Sequence, residues 1–428
     1  MAVEQRAEVR TPASKNGHMR KGWLSLRFDE IATNVATRVD PGSTKEEVYV
    51  GLEHLDSESL RISRWGTPSD VKGQKLEFQT GDIIFGKRRA YQRKLGVAET
   101  SGICSAHAMV LRTESDLIHP DFLAFFMQSD LFMDRAESIS VGSLSPTINW
   151  RTLRAERFPI PPRREQDQIV ELLQAADDAL EAFKLSARHA ERMRRVMLFR
   201  MLSGTEWEGT KKKTKLGAIP KSWDVQRIGD AGEVQLGRQR APRYQTGQFT
   251  KPYLRVANVF DGYFDLSDVL EMDFNERDFT TYSLRKNDIL LNEGQSRELV
   301  GRCAIYNDEV EACCFQNTLV RFRCGDELIP RFAFYYFQFA FYKGVFAAIA
   351  SQTTSIAHLG AERFARLHMP IPPASDQEKI VNVCDNALAA RDQLRDHVDR
   401  LLEVKQRLRD SMVQNGLAGT VSGLGGGA

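Results

Sequence analysis

The sequence lacks the usual signatures of an enzyme. In 428 residues there is no His-Glu-x-x-His metal motif, no Gly-x-Gly-x-x-Gly nucleotide loop and no cluster of metal ligands. No Asn/Asp-Pro-Pro-aromatic segment is present, because the two Pro-Pro pairs precede Arg163 and Ala374; this excludes an adenine methyltransferase centre. Gly81-Asp-Ile-Ile-Phe-Gly86-Lys87 fits most of a phosphate-binding loop, but Arg88 stands where Ser or Thr would hold magnesium. It reads instead as a strand and a turn. The eight histidines, such as His107 and His189, are scattered, and no carboxylates group as a nuclease would need. No metal site and no catalytic residue is expected.

Other absences bound the class. None of the six cysteines (Cys104, Cys303, Cys313, Cys314, Cys324, Cys384) forms a C-x-x-C pair, so they read as reduced, mostly buried thiols of a cytoplasmic protein. The net charge is only +2, from 59 Lys+Arg against 57 Asp+Glu. A chain so balanced grips nucleic acid only where its basic residues cluster, or where a partner adds phosphate contacts. No secretion signal opens the chain, and residues 1–20 read as a disordered leader. The apolar stretch 331–350 nears membrane-spanning length, but Gln338 and Lys343 interrupt it, so it reads as a buried helix face.

What the sequence does have is itself, twice. Pro159-Ile-Pro-Pro162 recurs as Pro370-Ile-Pro-Pro373, 211 positions later, and at that offset Gln166, Ile169 and Val170 match Gln377, Ile380 and Val381. Gly204-Thr205 matches Gly419-Thr420 at an offset of 215, which predicts a second helical region four residues longer. Upstream, Trp23 matches Trp223, Tyr49-Val-Gly-Leu-Glu-His-Leu55 matches Tyr253-Leu-Arg-Val-Ala-Asn-Val259, and Gly81-Asp-Ile-Ile84 matches Asn287-Asp-Ile-Leu290. The halves keep an apolar framework and differ at polar positions, as one scaffold with two readouts would.

Each unit begins with short β-favouring segments such as Lys75-Leu-Glu-Phe78, followed by one amphipathic helix near 120–137 or 330–349. A long helix follows, over 163–202 and again over 375–416. Ile169, Ala176, Phe183, Ala190 and Met197 recur every seven residues, with Leu180 beside them; Ile380, Ala387, Leu394, Leu401 and Leu408 do the same in the second copy. Narrow apolar stripes over five heptads argue for mutual coiled-coil pairing. Pro161-Pro162 and Pro372-Pro373 start these helices, Ser375-Asp-Gln-Glu378 reads as a capping box, and Gly204 and Gly416 as stops. A helix of roughly 39 residues spans about 58 Å, long enough to act as a ruler.

These repeated segments, with Lys215-Leu-Gly-Ala-Ile-Pro-Lys-Ser-Trp223 and Pro252-Tyr-Leu-Arg-Val-Ala-Asn-Val259, resemble the specificity subunits of type I restriction-modification systems, the HsdS family. The resemblance runs from about residue 21 to near the end. It implies an α+β chain with an internal pseudo-two-fold repeat. Two target-recognition domains, mixed β-sheet with helices, are joined by two long helices forming an antiparallel coiled coil. The divisions it implies are a leader (1–20), a first recognition domain (21–160), a central helical spacer (161–204) and a linker (205–216). A second recognition domain (217–371), a C-terminal helical spacer (372–418) and a Gly-rich tail (419–428) follow.

It further implies a non-catalytic subunit that reads a split, asymmetric target in double-stranded DNA. The partners implied are two adenine methyltransferase subunits and two motor-nuclease subunits, in the cytoplasm and away from any membrane. S-adenosylmethionine, ATP and magnesium would then act only through those partners. The alternatives are a specificity-like subunit of another phage-defence system and a solitary or decoy protein.

Base edges are read mainly by Arg, Asn and Gln. The first candidate stretch is Lys87, Arg88, Arg89, Tyr91, Gln92, Arg93 and Lys94, matched in the second unit by the stretch Glu293-Gly-Gln295-Ser296-Arg297, of which Gln295, Ser296 and Arg297 are the candidates. The second is Arg238, Gln239, Arg240 and Arg243, with Arg38 in the first-unit counterpart. The third is Ser351, Gln352, Thr353 and Thr354, matched by Ser143 and Ser145. Most such residues in an interface grip phosphate rather than bases. Lys211-Lys212-Lys213 reads as a flexible, solvated linker.

Overall fold

A computed structural model describes residues 18–204, 206–241, 245–352, 356–414 and 417–418. The chain forms two compact units, Met1–Lys184 with Asp396–Ala428, and Leu185–Arg395. The units are not the recognition domains alone, because each also takes part of both long helices.

The two units share a topology. In the first, strands Thr33–Val35, Ala108–Arg112, Ile83–Gly86 and Leu95–Val97 lie side by side in that order, all antiparallel. In the second, Gly232–Leu236, Leu319–Cys324, Ile289–Asn292 and Cys303–Ile305 repeat the order and the sense. A second sheet in each contains one parallel pairing, Tyr49–Val50 with Gly102–Cys104 and Thr250–Leu254 with Cys314–Phe315. The Gly81-Asp82 motif is a turn that anchors the main sheet. Gly81 takes φ +89°, and the buried Asp82 accepts from Gln79 N–H (2.8 Å) and from Arg112 at 2.7 and 2.8 Å. Asn287 (φ +74°), Asp288 and Arg323 rebuild the arrangement in the second unit.

Aromatic side chains fill both cores. Phe28, Phe126, Phe132 and Phe158 pack with centroids 5.3–5.9 Å apart in the first. Phe322, Phe337, Phe346 and Phe364 form the counterpart in the second. The segment 331–350 contributes to this core, with Phe332 to Ala340 buried. Among the described residues no helix is long and apolar enough to cross a membrane.

Each long helix starts at a break its sequence imposes. Strand Arg157–Ile160 pairs with Leu24–Arg27, and His368–Ile371 with Asp224–Arg227. The following Pro-Pro pairs have no N–H to continue a ladder. Helices Arg163–Leu202 and Ala374–Gln414 begin directly after them. Gln166 and Gln377 then tie three elements together from wholly buried positions. The Gln166 amide donates to Pro161 O (2.8 Å) and Leu117 O (2.9 Å), and its oxygen accepts from His119 N–H (2.7 Å). Gln377 donates to Pro372 O (2.9 Å) and Glu327 O (2.8 Å), and accepts from Ile329 N–H (2.8 Å). A first-turn carboxylate adds an indole bond in each, Trp23 to Glu165 (2.8 Å) and Trp223 to Asp376 (2.9 Å).

Within each unit the two helices run antiparallel. In the first, Lys405 pairs with Asp177, and Phe183 stacks on His397 at 5.7 Å. In the second, Arg391 reaches Glu191 at 3.4 Å. Ile169, Leu180 and Ile380 are buried. Ala176, Phe183, Ala190, Ala387, Leu394, Leu401 and Leu408 are half-buried, and Met197 is 37% exposed. The seam is therefore narrow, and Met197 lies at its edge, lining a cavity with Ala190, Val383 and Ala387.

Several expectations need correcting. Ser375 does not cap its helix, because the first turn already includes Ala374 and Pro373 O accepts the first N–H groups. The long helices have 40 and 41 residues, not a difference of four; Gly416 and 419–428 lie outside the described residues. The helix near 120–137 is two, Pro120–Gln128 and Asp130–Ser138, because Ser129 stays extended and its hydroxyl accepts from Phe132 N–H. Its counterpart breaks at Gly344, φ +75°, between Pro330–Tyr342 and Val345–Ile349. The supposed linker contains a hairpin, Lys211–Thr214 with Gly217–Pro220, and Trp207 packs edge-on against Trp223 at 5.3 Å. The leader's described part is not disordered: His18–Met19 pairs with Leu417–Ala418, repeating that hairpin's pairing with two distant segments; residues 1–17 lie outside the described residues.

The glutamine junction is testable. Gln166→Leu strands one buried N–H and two carbonyls, so it should cost on the order of 3 kcal/mol in chemical denaturation. Gln168→Leu, on the exposed face of the same turn, should cost less than about 0.5 kcal/mol.

Candidate nucleic-acid interface

In the first unit one strand edge gathers most of the candidate residues. Beyond strand Ile83–Gly86, Lys87 O accepts from Ile148 N–H (2.9 Å), and Arg89 N–H donates to Pro146 O (2.7 Å). The Lys87–Arg89 segment therefore lies beside the loop that carries Ser143 and Ser145. On its other side, Lys87 and Arg88 both donate backbone N–H to His107 O, at 3.1 and 3.3 Å. Arg88 and Arg89 are exposed, Tyr91 is 54% exposed and Leu144 is 91% exposed. Arg38 is exposed on strand Arg38–Val39, where its guanidinium meets Gln74 at 3.4 Å.

The electrostatics of this edge are those of an anion site. Burial holds the Lys87 ammonium below the usual lysine range, and nearby Arg38 lowers it further. Burial also lowers His107, and Arg88, Lys87 and Lys75 push the same way. The His107 ring is 3.2 Å from the Arg88 guanidinium. Lys87, Arg88 and Arg38 crowd positive charge along this edge, and a phosphate would relieve that crowding.

Two candidates from the same stretch do other work. The Arg93 guanidinium is held by Asp130 (2.6 Å), Asp134 (2.5 Å) and Glu137 (2.9 Å), all on the helix Asp130–Ser138. Lys94 donates to Leu52 O at 2.8 Å. Both side chains brace the fold, and neither is available to DNA. Gln92 is half-buried beside them.

The second unit builds the same edge from different chemistry. Glu293 N–H donates to Thr318 O (3.0 Å), and Glu293 O accepts from Leu359 N–H (2.7 Å). Those are the bonds that Lys87 makes with His107 and Ile148, so Glu293 stands where the first unit has Lys87. The Glu293 carboxylate is 3.2 Å from His358 Nδ1 and accepts from Gly360 N–H at 3.2 Å. Gly294–Gln295, Ala357–His358 and Ser351–Gln352 form a small sheet that brings Gln295, Ser351 and Gln352 together. Ser296 and Arg297 follow, with Arg297 exposed, and Arg363 donates to Ser351 Oγ at 2.9 Å.

Arg238 is a correction. It is 5% exposed, bonded to Asp273 O and to Asp278 (2.5 Å), and lies 4.9 Å over the Phe274 ring. It fastens a loop from which Gln239 and Arg240 project, both exposed. Arg243, Thr353 and Thr354 lie outside the described residues. Sequence reasoning missed His107, His358 and Arg363; Glu293 heads the stretch matched to Lys87 without being singled out there as a reader.

The described cysteines are not prepared as nucleophiles. Burial pushes the thiols of Cys104, Cys313, Cys314, Cys324 and Cys384 up to about 12, so they stay protonated at neutral pH.

A repeated sheet with unlike edges is the arrangement in which relatives are informative. The family model described as type I restriction modification DNA specificity domain matches residues 66–188 and 220–397. The chain belongs to this family. The specificity subunit of type I restriction enzyme EcoKI from Escherichia coli (strain K12) is 23% identical over 405 residues, 93% of this chain and 84% of that one. The EcoDI specificity subunit of Escherichia coli is 30% identical over 164 residues, 37% of this chain and 36% of that one. A chain in a solved structure of a type I restriction-modification system superposes with TM-score 0.63 at 18% identity, covering 94% of this chain and 99% of that one. The S subunit from M. genitalium gives 0.50 at 14% identity, covering 93% and 97%. The likeness to these structures is one of fold. This chain is a DNA-specificity subunit of that family, with two recognition domains on paired helices.

Two substitutions separate gripping from bracing. Lys87, Arg88 and Arg89 changed together to alanine should weaken DNA binding at least tenfold. The salt dependence should flatten by about 0.9 in log–log slope per lost phosphate contact. Arg93→Ala leaves three carboxylates without their cation; it should lower the thermal midpoint and leave the salt slope unchanged.

Proposed function

We propose that this chain reads a split, asymmetric site in double-stranded DNA, one half with each unit, and supplies no catalytic group itself. It recruits two adenine methyltransferase subunits and, in the restricting complex, two motor-nuclease subunits. S-adenosylmethionine, ATP and magnesium enter through those partners, in the cytoplasm where the DNA lies.

The observation that carries this reading is the exchange of Lys87 for Glu293 at one position of one repeated scaffold. Lysine suits guanine or phosphate, whereas a carboxylate accepts from cytosine N4 or orients a neighbouring donor. Two faces so different cannot read the same half-site, so the target is asymmetric. Partner recruitment is supported by the first long helix, where Leu185, Met193 and Val196, all in the second unit, are 49–55% exposed. Apolar side chains in that number on one helix mark a surface that another protein covers.

The test is a map of modified adenines in cells that co-express this chain with the methyltransferase encoded beside it. A two-part asymmetric motif that vanishes when this chain is omitted is the expected result. An active methyltransferase with no motif dependent on this chain would contradict the reading, and would favour service in another defence system or a decoy role.

A further inference from the structure

The two units differ in one more place, away from the DNA-facing edges. In the second unit, Arg331 lies in the first turn of Pro330–Tyr342 and fills the cleft between that helix and the second long helix. Its guanidinium pairs with Asp385, donates to Tyr335 Oη (2.9 Å) and lies 5.4 Å from the Tyr335 ring. The first unit has the same cleft with no cation in the place of Arg331; the Lys405 ammonium, paired with Asp177, lies 5.8 Å from the Phe125 ring on the other side of it. Counting from Pro120 and Pro330, Asp121 stands for Arg331 and Phe125 for Tyr335; counting from Gln166 and Gln377, Gln174 stands for Asp385.

What remains in the first unit is an open cleft with an apolar floor and an anionic rim. Leu60, Phe125 and Leu180 form its floor, and Phe125 and Leu180 are buried. Six carboxylates line it against two cations, Arg61 and Lys184. Those cations are already used, by Glu99 (3.3 Å) and Glu181 (2.9 Å), and Asp177 is paired with Lys405. Asp121 receives only the neutral Gln174 amide, at 3.0 Å, and Glu58 only that of Gln406, at 2.6 Å. Asp178, exposed on the rim, completes an unbalanced charge of three among the described residues.

We infer that this cleft receives an arginine-bearing segment of the methyltransferase subunit. The guanidinium would take the place that Arg331 occupies in the second unit, over Phe125 and against Asp121, with apolar neighbours on Leu60 and Leu180. The rim supplies the opposite charge, a flat aromatic floor suits a guanidinium, and the second unit shows this scaffold holding one. The first unit thus holds its methyltransferase through a contact that the second unit has satisfied within its own chain. The inference rests on the recruitment proposed above.

The test is made on the reconstituted complex of full-length chain and methyltransferase, by native mass spectrometry and titration across a salt series. Two variants are compared with wild type. D121N/D178N removes rim charge, and D121R/Q174D rebuilds the second unit's own pair and closes the cleft. Both should lose one bound methyltransferase, or bind it at least tenfold more weakly, with a shallower salt dependence and unchanged DNA binding by the chain alone. Wild-type stoichiometry and affinity in D121N/D178N at every salt concentration would overturn the inference, and that variant decides if D121R/Q174D does not fold. A wild-type chain that binds no methyltransferase would overturn the recruitment reading and this one together.

Discussion

Everything this chain does with its recognition surfaces depends on how firmly each is joined to a long helix. The joint is a single buried glutamine in each half. Gln166 and Gln377 each satisfy three backbone groups from two sides: the strand exit at the Pro-Pro pair, and a carbonyl and the N-cap N–H of the loop that enters helix Pro120–Gln128 or Pro330–Tyr342. A carboxamide supplies two donors and an acceptor at one point, and the glutamine chain is long enough to bring it to all three groups. A buried backbone group without a partner costs about 1–3 kcal/mol, so the three elements cannot separate cheaply. A reader attached in this way turns with its helix.

Upon that frame the two units diverge where divergence does no structural harm. The Asp82–Arg112 and Asp288–Arg323 pairs anchor the main sheets in the same way, and the sheet order is common to both. The edge beyond each sheet carries lysine and arginine in one unit and glutamate, glutamine and serine in the other. The cleft beside each long helix holds an arginine in one unit and a row of carboxylates in the other. Conserving buried polar pairs while exchanging exposed ones lets one fold present two different chemistries.

The repeat, the strand-rich and helical portions and the starts of the long helices were legible in the sequence, because they rest on proline, on heptad spacing and on segments that occur twice. The roles of individual arginines were not. Arg93 and Arg88 look alike in the chain, yet Arg93 is claimed by carboxylates 37 to 44 residues away, and the exposed Arg88 meets the His107 ring. Arg238 and Arg240 look alike in their loop, yet Arg238 is buried and Arg240 is exposed. Lys211–Lys213 reads as a linker because it lies in a Lys-rich, Gly-containing run between the two repeats. Trp207 and Trp223, packed beside it, show that the hairpin is held by contacts its own residues do not announce. The pairing of Leu417–Ala418 with His18–Met19 joins opposite ends of the chain, beyond any local pattern.

The central claim is that the glutamine joints transmit helix geometry to the recognition surfaces. The most direct measurement inserts one heptad into each long helix, after Lys184 and after Arg395, and maps the adenines modified with the methyltransferase present. Seven residues add about 10 Å to a helix and keep its heptad phase. The account predicts the same two half-sites separated by a longer unread spacer. An unchanged spacer would contradict it, and would mean that the readers move on their helices rather than with them.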